Sequence, residues 1–152
     1  MLENVIEAAS RWIDAYCGRI FYTTSSETRV YTPITSHLVV TDDIATITSV
    51  KLDIGARTYP TTLASTDYDT LPFNTSSTVM PIMGLTVAPN GSYNFYPSIN
   101  KSVQIVGTFG VPSGCTWLEQ VREACEIWAA YVYKMKDAPL GATGTSALGQ
   151  ES

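Results

Sequence analysis

The chain has 152 residues and a mass of 16.5 kDa, the size of one domain with a single buried core. It is 45% hydrophobic but only 15% charged, and its net charge of −5 excludes a protein that works mainly by neutralising nucleic-acid phosphates. No apolar run approaches membrane-spanning length, and the opening Met1-Leu2-Glu3-Asn4-Val5 carries an acid where a signal peptide carries bases, so we expect a protein made in a cytoplasm with no membrane partner.

Residues 2–17 read as an amphipathic helix. Val5, Ala9, Trp12 and Tyr16 recur at helical spacing, and Leu2, Ile6 and Ile13 widen the stripe. Glu3 and Glu7 suit the positive end of the helix dipole, and Gly18 suits the residue that ends it. This pattern places Trp12 and Tyr16 in the core.

From Arg19 to Gly110 the pattern changes to strands. Arg19–Thr24 and Glu27–Thr32 flank Ser25-Ser26 as a tight hairpin, and His37–Thr41 is a short apolar run closed by a turn at Asp42-Asp43. Ile44–Ile54 is rich in β-branched residues, but its apolar phase shifts between Ile47 and Val50, which predicts a bulge near Thr48-Ser49. Arg57–Leu63 is placed to pair back across Ile54-Gly55-Ala56-Arg57. Residues 64–81 read as a long loop with one extended piece at Tyr68–Phe73. Leu85–Ala88 and Tyr93–Tyr96 flank Pro89-Asn90-Gly91-Ser92, a hairpin signal because Asn-Gly accepts positive φ. Val103, Ile105, Gly107 and Phe109 then alternate with Gln104, Val106 and Thr108 as a core strand.

The last helix, 116–136, opens with Thr116-Trp117-Leu118-Glu119, a capping-box pattern in which each end satisfies a backbone N–H of the other. Leu118, Val121, Cys125, Trp128 and Val132 form one apolar stripe. Glu119, Glu123 and Glu126 lead while Lys134 and Lys136 follow, as the helix dipole prefers, and Pro139 prevents continuation. The fold class is therefore α+β: two terminal helices packed through Val5, Trp12, Tyr16, Val121, Cys125 and Trp128, a mainly antiparallel β-rich middle, and an extended tail. Beyond Lys136 the tail has too little apolar content to bury against its own domain, the composition of a segment that orders on a partner.

Chemistry is sparse. Cys17, Cys115 and Cys125 contain no CxxC pair, and Cys17 and Cys125 read as small buried hydrophobes. The one histidine, His37, has no second histidine with which to build a metal or triad site. Asp42-Asp43 and Asp67-x-Asp69 read as turn formers, and Ser113-Gly114-Cys115 as a loop without the flanking pattern of a nucleophile elbow. The Asn-x-Ser matches at Asn74, Asn90 and Asn100 carry no weight in so Ser/Thr-rich a chain. We expect no catalytic residues, no metal and no cofactor.

Taken together, the opening helix with its Trp-Ile-Asp-x-Tyr-Cys turn, the strand Val103-Gln104-Ile105-Val106-Gly107-Thr108-Phe109-Gly110, Pro112, the long helix, Asp137-Ala138-Pro139-Leu140-Gly141 and Ala147-Leu148-Gly149 resemble the head–tail connector (adaptor) proteins of tailed bacteriophages. The β-rich stretch at about 19–110 looks like the insertion of longer relatives. The resemblance implies a connector domain over 1–136 and an extended C-terminal arm over 137–152. It implies a dodecameric homo-oligomeric ring in the virion neck, docked on the portal protein and receiving a stopper or tail-completion protein, with DNA passing through the channel without specific binding. By position, the portal-binding arm would be recognised at Asp137, Ala138, Pro139, Leu140, Gly141, Leu148 and Gly149. The rival reading is a carbohydrate- or receptor-binding β module of a tail fibre or baseplate, with Tyr93, Phe95 and Tyr96 as an aromatic platform.

Overall fold

The structure is a computed structural model and describes residues 2–73 and 80–136. The element order is α1 (Leu2–Cys17), β1 (Glu27–Tyr31), β2 (Leu38–Leu52), β3 (Thr61–Leu63), β4 (Tyr68–Leu71), β5 (Ile82–Val87), β6 (Val103–Phe109) and α2 (Leu118–Lys136). The α+β expectation holds: the two helices pack on each other, and the strands between them form one antiparallel sheet. The predicted arm, Asp137 to Ser152, lies outside the described residues.

The sheet runs in the order β1-β6-β2-β5-β4, with β3 also on β2. β2 organises it because its 15 residues are long enough to serve three partners. Its first part pairs with β5 (Val39↔Leu85), its last part with β3 (Val50↔Leu63), and its other edge with β6 from Ile44↔Phe109 to Leu52↔Val103. The bulge predicted near Thr48-Ser49 is present as a register shift between Ile47 and Ser49, where the apolar phase changes. β6 alternates as expected: Val103, Ile105, Gly107 and Phe109 are buried and the residues between them only half so. Its side chains meet Val39, Ile44, Val50, Leu52, Leu63 and Leu85 in the main core.

Several local expectations are overturned, each for a tertiary reason. Asp42-Asp43 is not a turn but lies inside β2. Arg19 claims the Asp43 carboxylate with two hydrogen bonds of 2.7 Å, and Arg29 and Tyr31 donate to Asp42 at 2.9 and 3.1 Å. These partners offset the poor strand preference of aspartate, and a register irregularity between Val40 and Ile44 absorbs the pair. β1 forms, but it pairs with β6 rather than with Arg19–Thr24. The Leu85–Ala88/Tyr93–Tyr96 hairpin is absent, because both edges of β5 are already occupied by β2 and β4. The Asn90-Gly91 turn exists, with Gly91 N–H donating to the Ala88 carbonyl at 2.8 Å, but it turns the chain inward so that Phe95, 2% exposed, caps the core. Only Thr61–Leu63 of the predicted Arg57–Leu63 strand pairs back on β2.

The segment Arg19–Thr24 instead crosses the end of β6. Thr24 N–H donates to the Phe109 carbonyl at 2.8 Å, Val111 N–H to the Ile20 carbonyl at 3.0 Å, and Gly110 N–H to the Asp43 carbonyl at 2.7 Å. Gly110 is required here: φ is +98°, and a Cβ would stand 1.9 Å from the Tyr22 carbonyl oxygen. Beneath this crossing Val111, Cys115 and Leu118 form a second small core with Phe21 and Trp117.

At the opposite end of β6, the buried Asp53 organises the β2–β3 loop. Its carboxylate accepts the N–H groups of Gly55 at 3.0 Å and Thr58 at 3.2 Å. Burial alone would raise its pKa, but the backbone donors from Arg57, Gly55, Thr58 and Tyr59 outweigh burial and hold the carboxyl below the usual aspartate range.

Two predictions follow from these anchor points. Gly110→Ala should destabilise the fold by about 3 kcal/mol, read as a lowered urea midpoint. Since the folded pKa of Asp53 is depressed, its contribution is complete above the ordinary aspartate pKa of about 4 and is lost as pH falls through the lower folded value. Asp53→Asn should therefore melt earlier than the parent at pH 7, and the gap should close as acid is added.

Candidate interaction surface

The helix pair carries an aromatic ladder. Tyr16 stacks on Trp12 at 5.2 Å between ring centroids, Trp12 on Trp128 at 4.8 Å, and Trp128 on Tyr131 at 5.6 Å. These rings come together because α1, which ends at Gly18 at φ +62°, packs directly on α2. The ladder is not core, contrary to the expectation for Trp12 and Tyr16: Trp12 is 49% and Tyr16 78% exposed. Val5, Val121, Cys125 and Trp128 are half-buried. Cys17, expected to be buried, is exposed, because it sits on the open side of the last turn of α1.

The reason lies in α2, which has two apolar seams side by side. Leu118, Val121, Cys125, Trp128 and Val132 are spaced 3-4-3-4 and are buried or half-buried. A second series, Gln120, Ala124, Ile127 and Tyr131, repeats the same spacing one position earlier, in line with the half-buried Trp117 that precedes the helix, and it stays uncovered, with Ile127 65% and Tyr131 53% exposed. A 3-4 repeat is what a helix presents to a packing partner. The second seam was legible as spacing, but one stripe already satisfied the expected helix pair. Together with Trp12, Tyr16 and Cys17, this seam walls an open apolar groove of about 850 Å³.

A cleft of about 810 Å³ lies where α1 meets the sheet, with the charged residues Arg11, Asp14, Arg19, Arg29, Asp42 and Asp43 among its lining. Its charges are largely spent on one another. The Asp43 hydrogen bonds hold the Arg19 guanidinium above its ordinary pKa against the opposing cost of burial, and Arg29 lies 4.2 Å over the Phe109 ring while bonding Glu27 and Asp42. Burial, then the Asp42 carboxylate, push the Tyr31 hydroxyl pKa upward. This arrangement ties elements together.

The remaining sequence candidates do not converge. His37 is exposed just before β2, and Asp67 receives N–H bonds from Ala64 and Ser92, a turn role. Burial raises the Cys115 and Cys125 thiols above their ordinary pKa, away from the reactive thiolate. Among the described residues no group of three metal-ligating side chains is brought together, and no helix is long and apolar enough to cross a membrane. Tyr93, Phe95 and Tyr96 do not form a platform, since Phe95 is buried in the core and Tyr96 packs beside it. The arm positions Asp137, Ala138, Pro139, Leu140, Gly141, Leu148 and Gly149 lie outside the described residues.

By sequence the chain matches no protein-family profile and no curated protein. By structure it is similar to a chain in the neck of a native GTA particle, computed with C12 symmetry: the TM-score is 0.54 at 17% identity, over 96% of this chain and 75% of that one. At that identity the likeness concerns the fold.

The stacked pair predicts a measurable coupling. Trp12→Ala and Trp128→Ala should each lower stability by about 1–2 kcal/mol, and a double-mutant cycle in urea should show a coupling of about 1 kcal/mol.

Proposed function

We propose that this chain is a structural subunit of the neck of a tailed phage or phage-like particle, where copies form a ring between the portal vertex and the tail. The observation that carries the reading is the open second seam of α2, on a chain of which 96% aligns in fold with 75% of a chain from a neck computed with C12 symmetry. A cyclic ring needs each copy to offer one surface to a different surface of the next, and an uncovered aromatic seam beside a packed one meets half of that requirement.

In this reading residues 1–136 are the ring-forming domain, with the sheet as its insertion. Residues 137–152 are the arm that engages the portal protein through Pro139, Leu140 and Leu148, a stopper or tail-completion protein binds the other side, and DNA crosses the lumen. A weak arm contact repeated around a ring gives strong attachment through effective concentration. The net charge of −5 suits a conduit that does not grip phosphates.

Electron microscopy and native mass spectrometry of the purified chain, alone and with a portal, test the reading. Rings of uniform copy number are expected, and Ile127→Asp with Tyr131→Asp should abolish them while leaving circular dichroism unchanged. A chain lacking 137–152 should melt like the parent and lose portal docking. A protein that stays monomeric on a portal template, or a ring indifferent to the seam substitutions, overturns the proposal.

A further inference from the structure

The end of the sheet remote from the helices is built as a rigid, positively charged tip, and none of the roles above uses it. The loop from Asp53 to Pro60 is fastened at both ends. The Asp53 carboxylate holds its backbone, Asp53 N–H donates to the Ser102 carbonyl at 2.8 Å, and Tyr59 Oη donates to the Lys101 carbonyl at 2.8 Å. Lys101 N–H in turn donates to Thr32 Oγ1 at 2.8 Å, which ties the β5–β6 connection to the end of β1. Arg57, Tyr59 and Lys101 all stand at positive φ, 56°, 47° and 60°, a conformation that side-chain-bearing residues adopt only where their surroundings hold them.

This scaffold presents Ile54, 66% exposed, with Arg57 and Lys101 also exposed and Lys51 at the same end of β2. Arg19 and Arg29, at the other end of the sheet, are consumed by Asp43, Asp42 and Glu27. Lys51, Arg57 and Lys101 form no ion pair among the described residues. The only carboxylate in the loop, Asp53, is buried and faces backbone donors. In a chain of net charge −5 this end of the sheet thus gathers three basic residues, unpaired among the described residues, together with an exposed branched apolar side chain.

We infer that this tip is a docking site for an acidic protein surface, in which Ile54 enters an apolar socket and Arg57 and Lys101 pair with carboxylates at its rim. Charge complementarity selects the sign of the partner. An apolar anchor inside a charged border is the anatomy of a protein contact, whereas a phosphate backbone offers Ile54 no socket. The fastened loop matters energetically because a contact already held in its bound shape loses little conformational entropy on binding.

The full-length chain is used as bait for selection from a random linear peptide library, with a short DNA duplex as the counter-probe. Enriched peptides should carry Asp or Glu flanking Leu, Ile or Phe. Ile54→Asp and the double reversal Arg57→Glu/Lys101→Glu should each weaken the selected peptides by about tenfold or more, with circular dichroism unchanged. Asp53→Asn removes no contact group but loosens the loop, and should weaken binding by a smaller factor. No enrichment, enrichment of peptides without acids, or binding indifferent to these substitutions overturns the inference. Duplex DNA bound more tightly than the peptides and released by the same charge reversal overturns it in favour of a phosphate site. The inference stands or falls independently of ring formation, which the seam substitutions report.

Discussion

The structure depends on the crossing of two short segments between the helices and the sheet. Arg19–Thr24 and Phe109–Cys115 run past each other with Gly110 at the point of closest approach, and the Arg19–Asp43 pair fixes them to β2. The Arg19 side chain is 33% exposed and that of Asp43 9%, so this pair is shielded more than a surface salt bridge and retains more of its attraction. The small core of Val111, Cys115 and Leu118 with Phe21 is built from these segments, so loss of the crossing would leave the sheet with its main core and the two helices without their link to it.

That division explains how the aromatic ladder comes to face outward. The main core is closed by β2, β5, β6 and the inward turn that carries Phe95, so the sheet does not require the helices as a lid. The helices bury one seam of α2 against α1 and retain a second. An amphipathic helix in a self-sufficient domain spends its apolar face on its own core, and α2 has more apolar face than its own chain covers. The surplus supports assembly more directly than the scarcity of chemistry does.

Much of this was legible in the sequence where the signal is local. The two helices, Gly18, the bulge at Thr48-Ser49 and the alternation of β6 all follow from periodicity or from single-residue backbone preferences. The errors arise where a partner distant in sequence decides. Asp42-Asp43 looks like a turn until Arg19 and Arg29 arrive to pair with it, and Tyr93–Tyr96 looks like a hairpin strand until both edges of β5 are taken. Trp12 and Tyr16 carry the spacing of core residues, and nothing in their own stretch of chain tells whether the matching surface belongs to the same molecule. The candidate site was half visible for the same reason: the second 3-4 series of α2 could be counted, but its exposure depends on where α1 lies.

The hydrogen bond between Val111 and Ile20 has an architectural corollary. The chain enters and leaves the sheet through neighbouring points, so to the helices the intervening ninety or so residues amount to a closed excursion, in the way a surface loop does. Such a layout uncouples the two parts under selection. The excursion can lengthen, shrink or change its outer contour while the distance its ends must span stays the same, and a lineage that keeps the doorway residues Arg19, Asp43 and Gly110 is free to remodel what lies beyond it.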